Sequence, residues 1–406
     1  MLYNIAIYIY GFLVQIASLF NKKARKMVRG HRVVYKLLRQ QIEVDKNYIW
    51  FHAASLGEFE QGRPLIEKIR EQYPAYRILL TFFSPSGYEV RKDYKGADIV
   101  CYLPFDKPRN VKKFLNIVNP CMAFFIKYEF WKNYLDELHS RRIPTYSVSS
   151  IFRRNQIFFK WYGGTYRKVL KNFDHLFVQN ESSKRFLAKI NVTKVSVVGD
   201  TRFDRVIQIK NAAKDLPLVE RFKQGMPTFV AGSSWGPDED IFIKYFNEHP
   251  EVKLIIAPHV IDENHLVEII GKLKRSYVRY SKCTEESVLK ANCLIIDCFG
   301  LLSSIYRYGE IAYIGGGFGV GIHNTLEAAV YGVPVIFGPK YQKFMEAKDL
   351  IECKGAYSIN NFEEFKKLVD KLYADSGFYK DTCSLAGGYV ANNAGASDKI
   401  LEKINF

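Results

Sequence analysis

The stretch Ile314–Glu346, IGGGFGVGIHNTLEAAVYGVPVIFGPKYQKFME, decides how the whole chain is read. It opens with three consecutive glycines, Gly315 to Gly317. A turn follows, and His323-Asn324-Thr325-Leu326-Glu327 begins an Ala-rich helix. The apolar run Val333 to Phe337 comes next and closes at Gly338-Pro339. The order is strand, glycine loop, helix, strand. Glycines in such a loop let backbone N–H groups approach a phosphate, and the helix N-terminus adds positive dipole. Glu327, one turn into the helix, is placed to reach sugar hydroxyls. The simpler alternative is a tight βαβ turn with no ligand, but such turns rarely need this many glycines together with His, Asn and Glu.

The same alternation runs outward in both directions. Upstream, apolar runs at Tyr48–His52, Arg77–Phe83, Ala97–Leu103, Cys121–Ile126, Pro144–Val148, Asp174–Val178 and Val195–Val198 read as strands. Helical patterns at 57–71, 110–118, 131–139 and 182–190 separate them, with a loop expected at Ser84–Gly87. The polar segment Arg205–Pro227 reads as a connection. A second alternation then starts at Thr228–Ala231 and includes Lys253–Ala257, Tyr277–Tyr280, Cys293–Ile296 and Ile311–Ile314. Strands separated by helices of ten or more residues predict parallel sheets covered on both faces. Two such halves in 406 residues predict two doubly wound α/β domains facing a cleft. In open parallel sheets ligands bind at the C-terminal ends of the strands, where the informative loops fall.

Composition narrows the partners. The net charge is +17, and the first 42 residues hold eight Lys/Arg and no acid. A second acid-free run between Glu137 and Asp174 interleaves Arg141, Arg142, Arg153, Arg154, Lys160, Arg167, Lys168 and Lys171 with Phe152, Phe158, Phe159, Trp161, Tyr162 and Tyr166. Such surfaces suit an anionic partner, a nucleic acid or lipid headgroups. Leu2–Phe20 carries no charge and is just long enough to cross a bilayer. The cluster Lys22–Arg32 follows it and keeps the rest of the chain cytoplasmic by the positive-inside rule. An interfacial or docked helix is the alternative, marked by Asn4, Gln15 and Ser18. Seven scattered cysteines without a CxxC pair argue against zinc and against a disulfide framework.

Several loops carry candidate chemistry. His52-Ala-Ala-Ser55-Leu-Gly-Glu58-Phe-Glu60 follows the first strand and puts Glu58 at a helix start, where a carboxylate is stabilised and can take a proton from an attacking hydroxyl. The same acid could instead serve only as a cap, and Glu60 is expected one turn on, facing solvent. Lys127-Tyr-Glu129-Phe-Trp131-Lys-Asn133 places a second acid, an aromatic and an amide at the same edge, although Trp131 alone could be core. Two nearby acids suggest a glycosidase, but no matching acidic groove exists in the second half, so transfer fits better than hydrolysis. Gly199-Asp-Thr-Arg202-Phe-Asp204 offers Arg202 to a carboxylate or phosphate, or else to Asp200 or Asp204 as a plain ion pair. Gly232-Ser233-Ser234-Trp235-Gly236 is a small-residue loop before a helix. Pro258-His259 follows the next strand, where His259 could contact a base or simply make a turn. No GxxxxGK[ST] or HExxH motif occurs, and no catalytic metal is expected.

Taken together, HAASLGE, YEFWKN, GDTRFD, AGSSW and GGGFGVGIHNTLEAA…GVPVIFGP resemble the 3-deoxy-D-manno-octulosonic acid (Kdo) transferases of lipopolysaccharide assembly, over nearly the whole chain. The resemblance implies a GT-B fold of two Rossmann-like doubly wound domains and transfer of Kdo, with inversion, from CMP-Kdo to a lipid A precursor, lipid IVA. It implies no metal or other cofactor and no nucleic acid. It implies an anchor and basic flank over 1–30 and an acceptor-binding domain over 31–205. A nucleotide-sugar donor domain would span 206–385, and a C-terminal helix over 386–406 would pack back on the first domain. Glu58 would be the general base, with Ser55, Glu129 and Asn133 on the acceptor side. Arg202, Ser233, Ser234, Pro258, His259, Gly316, Gly317, His323, Asn324 and Glu327 would bind the donor. The protein would sit on the anionic cytoplasmic face of the inner membrane through its N-terminus. Three positions depart from the family pattern: Arg202 stands where Lys is usual, Val260 follows His259 without the usual Pro-Arg-His order, and Lys132 replaces a proline. Two rivals are another GT-B nucleotide-sugar enzyme, such as an epimerase or a lipid glycosyltransferase, and a membrane-tethered nucleic-acid-binding protein. The second lacks any RRM, KH or helix-turn-helix signature.

Overall fold

The computed structural model describes residues 2–406. Two compact units divide the chain. The first comprises Met1–Arg205 and Ala394–Phe406, and the second Val206–Asn393.

The first unit is built on a seven-stranded parallel sheet. Its strands are β1 Tyr48–Ala53, β2 Arg77–Phe82, β3 Ile99–Tyr102, β4 Met122–Ile126, β5 Thr145–Ser150, β6 His175–Val178 and β7 Val195–Val197, in the order β3-β2-β1-β4-β5-β6-β7. β1 and β4 are buried at every position, as expected of strands covered on both faces. Trp50, Phe114, Phe125 and Tyr134 pack as one aromatic core on one face, and Phe51, Phe124 and Phe59 belong to the core on the other. Chain order reverses between β1 and β4, because β1 leads out to β2 on one side and β4 to β5 on the other. That switch point opens a crevice at the C-terminal ends of the two central strands.

The second unit repeats the plan. Its strands are β8 Thr228–Ser234, β9 Lys253–Pro258, β10 Tyr277–Arg279, β11 Cys293–Ile295, β12 Ile311–Ile314, β13 Val335–Phe337 and β14 Ala356–Ser358, in the order β10-β11-β9-β8-β12-β13-β14. All pairings are parallel, and the switch point lies between β8 and β12.

Several sequence expectations are corrected. Ser84–Gly87 is not a loop, because Ser84 accepts from Ser86 N–H and caps a short helix, Pro85–Arg91. The C-terminal segment is not one helix over 386–406. Ser376–Asn392 ends at Asn393, Gly395 takes φ +88°, and Ala396–Leu401 begins anew. The chain therefore re-enters the first unit at Ala394, not at 386, which lies inside Ser376–Asn392. Asp204 holds the re-entry by accepting from Gly395 N–H at 2.6 Å and Ser397 N–H at 2.7 Å, and Ile400, Leu401 and Ile404 fill the first unit's core.

The expected break at 30/31 also falls inside a helix. α1 spans Leu2–Phe20 and α2 Lys22–Gln41, with Asn21 capping α2 through Lys23 and Ala24 N–H. Met27, Val34 and Leu38 of α2 are buried in the first unit, so this segment is domain structure and not a flank. α1 itself is docked along one side. Tyr3 Oη donates to Asp106 at 2.6 Å, Asn133 Nδ2 donates to Asn4 Oδ1 at 2.9 Å, and Tyr10 stacks against Phe83. Only Gly11 of α1 is buried, whereas Ile5, Ile9, Phe12, Leu13, Ile16 and Leu19 are exposed.

Candidate functional site

In the first unit the loops after β1 and β4 lie side by side at the switch point. α3, Leu56–Gln72, begins after Ser55, so Glu58 stands in its first turn. Glu58 Oε2 accepts from Ala54 N–H at 2.7 Å, which closes the turn and fixes one carboxylate oxygen. Burial pushes the Glu58 carboxyl above its ordinary range. The neighbouring negative charge of Glu129 pushes the same way, and His52, Lys127 and the Ala54 N–H only partly oppose them. Ser55 occupies the cap position without a side-chain cap bond.

The second loop leaves β4 through Lys127, which takes φ +61°. This turn delivers Glu129 to the first loop. Glu129 is buried, and its Oε2 accepts from Trp131 Nε1–H at 2.6 Å and lies 3.2 Å from His52 Nε2. Trp131 is thus a donor to the acid as well as a packing residue against Phe83. Asn133 N–H donates to Asp106 Oδ2 at 3.0 Å, and Tyr134 N–H to Oδ1 at 3.0 Å. Burial pushes Asp106 up to about 7. Asn133 therefore holds the base of the loop to the start of α1. Glu60 does not face solvent as expected, because it pairs with Arg91 at 2.7 Å and Arg205 at 2.9 Å.

Arg202 pairs with Asp200, with Nε and one terminal nitrogen each 2.8 Å from Oδ2. Asp200 also accepts from Arg202 N–H at 2.9 Å.

In the second unit the loops after β8 and β12 meet in the same way. Asp238 joins them. Its Oδ2 accepts from Gly316 N–H at 2.8 Å and Trp235 N–H at 3.1 Å, and its Oδ1 from Tyr313 Oη at 2.9 Å. Gly316, at φ +93°, thus spends its N–H on Asp238 instead of on a phosphate. Gly317 is required by packing, because a Cβ there would lie 2.5 Å from Gly338 N. The expected helix from His323 shrinks to one turn, Leu326–Ala329, too short for an appreciable dipole. Asn324 Nδ2 donates to Glu327 Oε1 at 3.0 Å. β8 runs on through Ser234, which is buried and donates to Glu239 at 2.9 Å. Of the two serines only Ser233, at φ +54°, is partly exposed.

Three rings form a stack at this edge. His259, directly after Pro258 at the end of β9, lies 4.9 Å from Trp235 and 4.2 Å from His323, centroid to centroid. Burial, aided by His259, pushes His323 down to about 4. The neutral ring can then accept from Trp235 Nε1–H at 3.2 Å. Sequence reasoning did not single out Trp235, Asp238 or His52 as site residues. The available signal was their position, since each sits at or just after the C-terminal end of a strand beside a switch point.

Two Rossmann-like sheets whose switch-point loops carry the polar clusters define the GT-B fold class. A family model described as 3-deoxy-D-manno-octulosonic-acid transferase (kdotransferase) matches residues 28–205. The 3-deoxy-D-manno-octulosonic acid transferase of Aquifex aeolicus is 28% identical over 342 residues, covering 82% of this chain and 87% of that protein. The enzyme of the same name from Haemophilus influenzae is 26% identical over 373 residues, covering 87% and 86%. The solved UDP-GlcNAc 2-epimerase of Neisseria meningitidis, bound to UDP-GlcNAc, shares the fold with a TM-score of 0.62 at 14% identity, over 87% of this chain and 98% of that one. The chain is thus similar to Kdo transferases over most of its length and is a glycosyltransferase.

Proposed function

We propose that this protein transfers Kdo from CMP-Kdo to a hydroxyl of a lipid A precursor, lipid IVA, with inversion and with Glu58 as general base. The observation that carries the reading is the convergence of Glu58 and Glu129 at the switch point of the first sheet, with Glu58 above its ordinary range. A carboxylate raised above its ordinary range is, once ionised, a better proton acceptor than a free glutamate. Glu58 Oε2 is occupied by Ala54 N–H, so the second oxygen receives the acceptor hydroxyl's proton. The acceptor oxygen then bonds to the anomeric carbon of Kdo as the bond to CMP breaks, and the electron pair leaves on the CMP phosphate. In the second unit, Ser233 and the stack of Trp235, His259 and His323 are the groups we assign to the nucleotide.

The test is mass spectrometry of a lipid IVA acceptor after incubation with purified protein and CMP-Kdo generated in situ. A gain of one or more Kdo units with CMP release is the expected result. No mass shift from folded protein, with turnover of a UDP-sugar instead, would overturn it in favour of another GT-B enzyme.

The membrane contact follows from α1. Nineteen residues rise only about 28 Å, so spanning would use the full helix and carry its first turn across the bilayer. That turn is instead held by Tyr3 and Asn4 to Asp106 and Asn133 of the first unit. We read α1 as lying in the plane of the cytoplasmic leaflet, with Ile9, Phe12, Leu13 and Ile16 facing acyl chains and the acid-free α2 facing anionic headgroups. Phe12→Ser combined with Leu13→Ser is expected to cut binding to anionic vesicles by about tenfold or more, given about 1.5–3 kcal/mol per buried side chain. An N-terminal tag on protein bound to sealed vesicles should remain open to external protease. Protection of the tag would mean that α1 spans.

A further inference from the structure

The buried histidine at the end of β1 has no assigned role. His52 is fully buried, yet both ring nitrogens are engaged. Nδ1 lies 2.9 Å from Thr81 Oγ1 and 3.1 Å from Thr81 O, and Nε2 lies 3.2 Å from Glu129 Oε2. The hydrogen-bond partners order the protons. Trp50 Nε1–H donates to Thr81 Oγ1 at 2.8 Å, which leaves the threonine's own proton to be given away. Its nearer acceptor is His52 Nδ1 at 2.9 Å, compared with Phe51 O at 3.3 Å. We assign the remaining ring proton to Nε2, where it points at Glu129; Trp131 Nε1 lies 3.2 Å from the same nitrogen. A ring that donates from both nitrogens presents the same Nε2–H to the carboxylate. Trp131 Nε1–H converges on the same oxygen at 2.6 Å.

We propose that His52 is a positioning residue for the transfer reaction: with Thr81 fixing its ring, its Nε2–H holds the Glu129 carboxylate in place beside Glu58. The inference rests on Glu58 being the base. A histidine that served only to fill space would not need a threonine at one nitrogen and a glutamate at the other, in a pocket where every unpaired polar atom is costly. The charged groups facing Glu58 are Glu129, which repels its negative form, and His52 and Lys127, which favour it. Fixing Glu129 therefore keeps Glu58 a strong proton acceptor. If Glu129 is released from one of its two donors, its carboxylate swings away, the repulsion weakens and Glu58 becomes a weaker base.

The test measures kcat and KM against pH for full-length wild type, His52→Asn, His52→Gln, Glu129→Gln and the double variant His52→Asn with Glu129→Gln, with CMP-Kdo and lipid IVA as substrates. Gln carries its amide nitrogen near the Nε2 position, whereas Asn reaches only as far as Nδ1. His52→Asn is expected to lower kcat about 10- to 100-fold, the usual range for loss of a group that orients another. KM for the acceptor should stay within about threefold, because substrate contacts are unchanged. The acid limb should move to lower pH, in the same direction as in Glu129→Gln, because the lost repulsion from Glu129 outweighs the lost attraction of His52 for the Glu58 anion. His52→Gln should recover most of the rate, and the double variant should be no slower than Glu129→Gln alone. Equal behaviour of His52→Asn and His52→Gln, an unmoved acid limb, or multiplying losses in the double variant would each overturn the proposal. Should His52→Asn fail to fold by near-UV circular dichroism, Thr81→Val frees Nδ1 without touching Glu129 and must produce the same shift. Glu58→Gln run alongside separates the two claims. Retained transfer there removes the base and this inference together, whereas loss there with silent His52 variants removes the inference alone.

Discussion

Glu58→Gln is expected to slow Kdo transfer by about two to four orders of magnitude, the range a positioned general base contributes. The amide keeps the shape of the side chain and can still accept from Ala54 N–H, so the helix start should survive. What it cannot do is take a proton from the acceptor hydroxyl. The melting temperature should therefore hardly change while kcat collapses and KM for the acceptor stays near its original value. The wild-type pH profile carries a second signature. Burial first, and then the charge of Glu129, raise the Glu58 carboxyl above its ordinary range. The base works only when ionised, so activity is present above that raised value and is lost as pH falls through it. The acid limb of kcat should accordingly lie above the value of about 4.3 typical of a free glutamate side chain. A Glu58→Gln enzyme with near wild-type kcat would remove this residue from the mechanism.

Gly315→Ala should have the largest effect on stability. Gly315 follows β12 directly, and its N–H donates to Gly232 O at 2.9 Å. A Cβ there would lie 2.2 Å from Ser233 O and 2.6 Å from Ser234 Cα. Both neighbours are backbone atoms of β8, so the clash cannot be relieved by a side-chain rotation. Relief requires the two central strands of the second sheet to part at the switch point, where Asp238 ties their loops together. The expected cost is about 3 kcal/mol, at the upper end for overpacking. That corresponds to about 6–12 °C in the melting of the second unit. The matching control is Gly319→Ala, whose Cβ meets nothing closer than Gly316 O at 4.0 Å. Calorimetry should show the second unit's transition lowered in Gly315→Ala and nearly unchanged in Gly319→Ala. Equal melting of the two variants would mean that the strands accommodate the methyl group.

Much of this protein was legible in its sequence because period and punctuation are local properties. Short continuous apolar runs such as Tyr48–His52 and Cys121–Ile126, bounded by turn residues, read as strands buried on both faces, and the helical spans between them favour the parallel pairing observed. The placement of Glu58 in the first turn of a helix after a strand follows from HAASLGE alone. The order of the five loops was enough to suggest the family.

Other features depend on what lies opposite a residue, and no local pattern encodes that. The glycines at 315 to 317 read as a phosphate cradle, but one N–H is taken by Asp238, and two Cβ positions are excluded by Ser233 and Gly338. The helix expected at His323 is a single turn, since the ring of His323 is drawn into a stack with His259 and Trp235. α1 is apolar enough to cross a membrane, yet its direction is set by Tyr3 and Asn4 reaching residues about a hundred or more positions away. The chain by itself determined the strands, the helices, the parallel sheets and the loops that carry chemistry, because each rests on the periodicity of neighbouring residues. Only the tertiary structure decided which polar groups are already spent on one another and which carboxylate sits beside which, because burial and charge–charge repulsion act between residues that the fold, not the sequence, makes neighbours.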